Sequence, residues 1–167
     1  MILCDRELKS LMRSGWLVLP CDFTLVNPAS IDIRVGINII RETPNNFTSP
    51  IYIGDSNKNH PCEVAPGEFI LVETLEVISV PNGYAVDCKL KSTIARKGLD
   101  HSLAFWFDPG WHGIGTFELR NVTRFQTIPI WFGMRIAQII VHKLAGDSEH
   151  PYQGRYQNAL KVEGAKD

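Results

Sequence analysis

Residues 31–40 read Ile31-Asp32-Ile33-Arg34-Val35-Gly36-Ile37-Asn38-Ile39-Ile40. An apolar side chain stands at every second position, and the places between hold Asp, Arg, Gly and Asn until Ile40 breaks the alternation. A period of two belongs to a β-strand, because successive side chains point to opposite faces; a helix would need apolar residues at i, i+3 and i+4. The spacing therefore predicts a strand, half-buried over most of its length.

Short apolar runs continue downstream at 51–53, 68–72, 75–80, 84–90, 103–107, 114–119, 125–131 and 135–141. Turn-forming residues separate them, among them Pro44-Asn45-Asn46, Pro81-Asn82-Gly83, Asp108-Pro109-Gly110 and Gly133. Many short strands with a turn every ten or so residues indicate a mainly β sandwich or barrel. Upstream, Leu8, Leu11 and Met12 form the only clear helical stripe, with Asp5 as its expected cap and Gly15 as its stop. A second, short helix is expected at 92–97, opened by Ser92 as cap.

Composition narrows the function. The chain has 167 residues, the length of one domain with a short tail. Its 17 basic and 18 acidic side chains give a net charge of −1, which argues against an electrostatic grip on nucleic acid. Hydrophobic residues at 44% and charged residues at 21% are ordinary globular values and exclude wholesale disorder. No apolar stretch is long enough to span a membrane, and the first ten residues, MILCDRELKS, carry acids where a secretory signal needs a basic lead. A soluble cytoplasmic protein is expected. Cys4, Cys21, Cys62 and Cys88 lie far apart, so reduced thiols are expected rather than a zinc ribbon or a disulfide framework. The last segment, GDSEHPYQGRYQNALKVEGAKD, is polar and aperiodic. The expected organisation is a domain at 1–145 followed by a flexible tail at 146–167.

Three segments hold groups that a plain β-core does not require. Lys91-Ser92-Thr93-Ile94-Ala95-Arg96 sets two hydroxyls between two cations at a predicted helix start, an arrangement suited to anions. Alone, such a hexamer is more often a capped surface helix. Asp108-Pro109-Gly110-Trp111-His112-Gly113 is a tight turn leading into a strand. Alternation there puts Gly115, Phe117 and Leu119 on one face and Thr116, Glu118 and Arg120 on the other. In the tail, Tyr152, Arg155 and Tyr156 combine cation and aromatic.

In this order the segments resemble the dCTP deaminase family, a branch of the trimeric dUTPase-like superfamily. The resemblance runs through Met1 to Leu8, Asn27 to Gly36, Pro66 to Leu71 and Thr74-Leu75-Glu76. It continues at Lys91 to Leu99, similar to the family's RSSLARLGL, and at Asp108 to Asn121, similar to its DPGWxGxxTLExxN. Gly133 to Gln138 and Tyr152 to Gln157 complete it. The resemblance implies a distorted β-barrel or jelly-roll with an N-terminal helix and one short helix, assembled as a homotrimer.

It also implies the chemistry. Hydrolytic deamination of cytosine is commonly driven by zinc-bound hydroxide, with an H-x-E…P-C-x-x-C pattern. That pattern is absent from this chain. The family instead uses a carboxylate as general base and then acid, which falls on Glu118, with Ser92 and Arg96 beside it as catalytic partners. Ala104 would read the base edge. Asp108 and Trp111 would face the deoxyribose, and Thr116 and Phe117 flank the glutamate in the substrate-binding set. Lys91, Thr93, Tyr152 and Arg155 would meet the phosphates. No metal is implied on the protein, neither zinc nor another, and magnesium would accompany the substrate phosphates. The expected reaction is dCTP + H2O → dUTP + NH3, with dTTP as a candidate feedback inhibitor. Alternatives are a bifunctional enzyme that carries dUTP on to dUMP, or a deaminase of dCMP or dCDP. The last is kept because Lys91 replaces the family's arginine fork and Ala159 stands where many relatives have glutamine. A nucleotide-binding regulator without catalysis is the reading from another class.

Overall fold

The computed structural model describes residues 1–102 and 104–166, so Leu103, at the start of the strand expected at 103–107, lies outside the described residues. The chain runs α1 (Asp5–Arg13), β1 (Leu17–Leu19), a 3-10 turn (Phe23–Leu25), β2 (Val26–Asn27), β3 (Ser30–Arg41), β4 (Ile51–Tyr52) and β5 (Cys62–Val64). It continues with β6 (Phe69–Ser79), β7 (Tyr84–Leu90), α2 (Ser92–Ala95), β8 (Leu99–His101), β9 (Trp106–Phe107), β10 (His112–Asn121), β11 (Ile128–Ile130) and β12 (Arg135–Lys143). The architecture is mainly β with two helices, as the periodicity predicts.

Ten strands form one curled antiparallel sheet in the order β8-β10-β6-β3-β12-β7-β9. The short strands β1, β2 and β4 attach to β6 and β3, and β5 pairs with β11 apart from the sheet. β3 is its hinge. Ile31 to Arg34 pair with β12, whereas Val35 to Arg41 pair with β6, so one strand joins the two halves of the curl. The register shifts between Val35 and Ile39, a bulge that bends the strand where it changes partners.

This bend revises the expected pattern of β3. Residues 30–33 are all buried, including Asp32, whereas Ile37 is 41% exposed despite standing in the apolar phase. Asp32 tolerates burial because its Oδ1 accepts from Lys91 Nζ at 2.6 Å and Asn27 Nδ2 at 2.8 Å, with Arg135 Nη1 3.5 Å from Oδ2. The runs at 68–72 and 75–80 also fuse into the single strand β6, although Glu73 and Thr74 lie between them. Both are buried and both are bonded. Thr74 Oγ1 donates to Glu76 O at 2.7 Å and accepts from Gly115 N–H at 2.9 Å. Glu76, fully buried, accepts from the backbone N–H of Arg34 at 2.8 Å and from its Nε at 2.6 Å.

Both helix caps differ from expectation. The cap of α1 is Cys4, with Asp5 as the first helical residue; Glu7 Oε2 accepts from Cys4 N–H at 3.2 Å. A glutamate three residues after the cap can satisfy the orphan N–H of the cap residue itself, and acids in the first turn oppose the helix dipole. α2 is one turn, with Lys91 in the cap position and Ser92 inside, and it stops at Ala95. Gly15 ends α1 as expected, with φ +85°.

The core is contiguous from Leu8 and Met12 of α1 through the inward faces of β3, β6, β7, β10 and β12. A small separate cluster joins Ile40, Leu71 and Val162, with Phe69 against it. Val162 belongs to the tail, which lies along the body. Tyr152 N–H donates to Pro109 O at 2.7 Å, Asn158 N–H to His112 O at 2.8 Å, and Ile114 N–H to Ala159 O at 2.8 Å. The Asp108–Trp111 turn needs Gly110 for this docking. Its φ is +85°, and a Cβ there would sit 2.7 Å from Pro151 Cβ. All four cysteines are free, and Cys88 is buried, which pushes its thiol up. No helix among the described residues is long and apolar enough to cross a membrane.

Candidate active site

A cavity of about 450 Å³ opens between β10, the segment Ala104–Asp108 and the tail. Aromatic rings stack behind it. Phe105 lies 4.4 Å from Phe117 in a stacked pair and 4.9 Å from Phe107 edge-on, and Phe107 continues to Trp111 at 5.1 Å. Such pairs contribute on the order of 0.5–1.5 kcal/mol each beyond their burial, enough to hold one wall in a fixed shape. Tyr152 closes the row at 5.2 Å from Trp111. Trp111 is 8% exposed, and its indole N–H has no partner among the described residues, so it is open to a ligand or water.

Glu118 projects into this cavity from β10. The expected alternation holds, since Gly115, Phe117 and Leu119 are buried and Thr116 and Glu118 are half-buried. Burial holds the Glu118 carboxyl above the ordinary carboxylate range, and its own backbone N–H offsets that only in part. A carboxylate so placed is a proton acceptor with a raised pKa beside space for a ligand, the combination that general base and acid work requires.

Six of the expected residues line the cavity together: Ala104, Asp108, Trp111, Thr116, Glu118 and Tyr152. Asp108 Oδ1 accepts from Trp106 Nε1 at 3.0 Å. Phe117 sits beside the cavity, but its side chain points into the core at 1% exposure. The tail adds a wall of Tyr156, Ala159, Glu163, Gly164 and Ala165, of which the sequence singles out only Tyr156 and Ala159, and Phe47, Phe69 and Leu71 add an apolar end.

The expected cationic partners lie elsewhere. Lys91 and Thr93 line a second, open depression with Lys97, Trp131 and Arg135. Ser92, which opens α2, and Arg96, just after it, are exposed and line neither hollow. α2 links β7 to β8, and β8 pairs with β10 at Leu119–Asn121, so these groups lie past the end of β10 and outside the cavity lining. Lys91 is also committed to Asp32. Arg155 is exposed and donates from Nη1 to Lys166 O at 2.6 Å, folding the tail on itself. None of the described residues lining the Glu118 cavity is lysine or arginine, so the cavity suits the uncharged part of a nucleotide better than its phosphates. No group of three or more His, Cys, Asp or Glu among the described residues is placed to hold a metal ion.

Known proteins share both the sequence and the fold. The dCTP deaminase-like family matches residues 2–144. The "dCTP deaminase, dUMP-forming" of Mycobacterium ulcerans (strain Agy99) is 37% identical, covering 91% of this chain and 85% of the relative. The protein of the same description from Mycobacterium bovis (strain BCG / Pasteur 1173P2) is 36% identical, covering 99% and 92%. Among solved structures, the 2'-deoxycytidine 5'-triphosphate deaminase from Agrobacterium tumefaciens superposes with a TM-score of 0.69 at 20% identity, over 84% of this chain. This chain spans about half of that protein, 47% of its length, and the likeness is one of fold.

Proposed function

The chain belongs to the dCTP deaminase-like family, and from that premise we propose that it hydrolyses the exocyclic C–N bond of dCTP, giving dUTP and ammonia. The observation that carries this is Glu118, a half-buried carboxylate held above the ordinary range in a cavity of nucleoside size. Glu118 takes a proton from water as the oxygen attacks C4 of the base. It passes that proton to N3 of the ring, then takes the proton of the new C4 hydroxyl and gives it to the amine, so that the C–N bond breaks, ammonia leaves and the carbonyl of uracil forms. Trp111 lies against the sugar, the backbone at Ala104 reads the base edge, and Asp108, Thr116 and the backbone of Phe117 complete the nucleoside site. The aromatic wall keeps bulk water from the reacting carbon.

Charge must come from outside the cavity. Ser92 and Arg96, exposed at α2 and just after it, are supplied with Lys91 and Thr93 by a neighbouring subunit of a homotrimer, where they orient the water and meet the phosphates. The tail, residues 146–167, closes the nucleotide in, with Tyr152 and Arg155 on the phosphate side; the cavity-lining positions of Tyr152, Tyr156 and Ala159 support this reading. Magnesium enters with the triphosphate as part of the substrate. dTTP, with the same sugar and phosphates, is the candidate feedback ligand, and the cytoplasm is the compartment that four free thiols suit.

A second step is favoured by the relatives, whose descriptions read "dUMP-forming" at 36–37% identity. In that reading the same chain adds water to the α-phosphorus of dUTP and releases dUMP and pyrophosphate. Chromatography of reactions offered dCMP, dCDP, dCTP and dUTP separately distinguishes the cases. dCTP consumed with dUTP accumulating supports the deaminase alone; dCTP and dUTP both ending as dUMP supports both steps. No turnover of any of the four would overturn the reading.

A further inference from the structure

We propose that Glu73, outside the catalytic cavity, is a positioning residue of this reaction: its carboxylate pins the tail at Val162 and so holds residues 163–165 as a wall beside Glu118. This rests on the deaminase reading above. Glu73 is 4% exposed between β3 and β6. Its Oε1 accepts from Ile37 N–H and Asn38 N–H, each at 3.0 Å, and from Asn38 Nδ2 at 3.1 Å. Its Oε2 accepts from Asn38 Nδ2 at 3.2 Å and from Val162 N–H at 2.9 Å.

The surroundings are built for this. The β3 bulge between Val35 and Ile39 lies where Ile37 and Asn38 turn their N–H groups to Glu73. Gly36 lets the side chain pass, since a Cβ there would meet Glu73 Cγ at 2.5 Å. A buried carboxylate costs stability unless donors surround it, and an apolar residue would fill the same volume without that cost. Here the strand bulge supplies one set of donors and the tail supplies the other.

Val162 is the matching half. It is 1% exposed against Ile40, Leu71 and Phe69, although Leu160 just before it is 89% exposed and Lys161 is exposed as well. Glu163, Gly164 and Ala165, immediately after it, line the cavity next to Phe69 and Leu71. One residue thus anchors the end of the tail, and its anchor shares two side chains with the cavity wall.

The test uses full-length protein in three variants: Glu73→Gln, Val162→Asp and the double. Gln keeps the shape, and with its oxygen toward the bulge it turns an NH2 group to Val162 N–H, donor against donor. Val162→Asp leaves the Glu73 bonds to β3 intact and drives a second carboxylate out of the cluster. Each single variant should lower kcat/KM about tenfold or more, mainly through KM, the scale of one lost charge-assisted hydrogen bond. The double should be no worse than the poorer single, because both act through one contact. Effects that multiply in the double, or a Glu73→Gln protein with parental kcat/KM, overturn the proposal. Hydrogen exchange at the Val162 amide gives a readout independent of turnover. Protection in the parent that is lost in Glu73→Gln supports the anchor even if dCTP is not the substrate, and unchanged protection sinks it.

Discussion

A carboxylate serves as a base only where its charged form is available but not comfortable, and Glu118 is held in that state by burial without a full shell of donors. Glu118→Gln keeps the shape and removes the basicity, so turnover should fall by roughly 10² or more while nucleotide binding persists. Steady-state kinetics beside equilibrium binding of dCTP separates the two. The same burial makes a statement about stability. A folded-state pKa raised above the unfolded value favours the native state at pH below the unfolded pKa, and that benefit is lost as pH rises through the folded one. Near neutrality the parent therefore carries the burial cost and Glu118→Gln does not. The variant should melt higher than the parent at mildly alkaline pH, and the gap should close in mild acid. A gap that widened in acid would have the sign wrong. At this scale the sequence was legible where a motif named the residue, as for Glu118 and Trp111, and silent where burial alone confers the role. Glu73 looked like a break between two apolar runs. The signal available was a strand carrying two acids, Glu73 and Glu76, among apolar residues, which requires donors from somewhere else in the chain.

The elements that position the site depend on a few close approaches. Gly36 faces Glu73 and the backbone of Thr74 across the β3–β6 junction, with contacts to an added Cβ of 2.5 Å and 2.8 Å. A backbone oxygen cannot step aside, so Gly36→Ala should destabilise by about 1–3 kcal/mol or more and loosen the tail through Glu73. Urea unfolding followed by fluorescence measures it, and a cost below about 0.5 kcal/mol would mean the bulge is free to relax. Asp32 at the other end of β3 is a parallel case. Removing it leaves Lys91 facing an empty buried site, and Asp32→Ala should cost about 3 kcal/mol in the same measurement. Period-two patterning found β10 and most of β12, whose burial follows the pleat, whereas β3 and β6 are buried on both faces over part of their length. It did not show the register shifts between Val35 and Ile39 or between Ile114 and Thr116. Bulges are set by which partner strand each half of β3 meets, and that pairing is non-local. The short strands β4 and β9 fall inside the apolar runs at 51–53 and 103–107, whereas β1, β2, β5 and β8 fall outside the runs read from the sequence and are held by their neighbours rather than by their own propensity.

At the scale of the whole molecule, one chain presents an aromatic and acidic cavity whose described lining holds no lysine or arginine, and a separate cationic depression beside α2 lined by other residues. A nucleotide carries several negative charges on the side away from its base, so the two surfaces must meet between copies of the chain if both serve one substrate. Cyclic symmetry makes that economical, because the same contact repeated around an axis completes every site. Sedimentation at micromolar concentration should give about three times the 18.8 kDa chain mass. Subunit mixing tests the sharing directly. Glu118→Gln spoils the cavity and Arg96→Ala spoils the cationic surface, so each variant alone should be nearly inactive. When the two are unfolded together in equal amounts and refolded, a site is intact wherever an Arg96→Ala chain supplies Glu118 and its neighbour, a Glu118→Gln chain, supplies Arg96. Random assembly makes about one quarter of the sites intact, so activity should return to about that fraction of the parent value. Sites closed within one chain would recover nothing, since every chain in the mixture lacks one of the two groups. Zero recovery from a correctly sized trimer would therefore remove Arg96 from the shared site and leave Glu118 to work with groups of its own subunit.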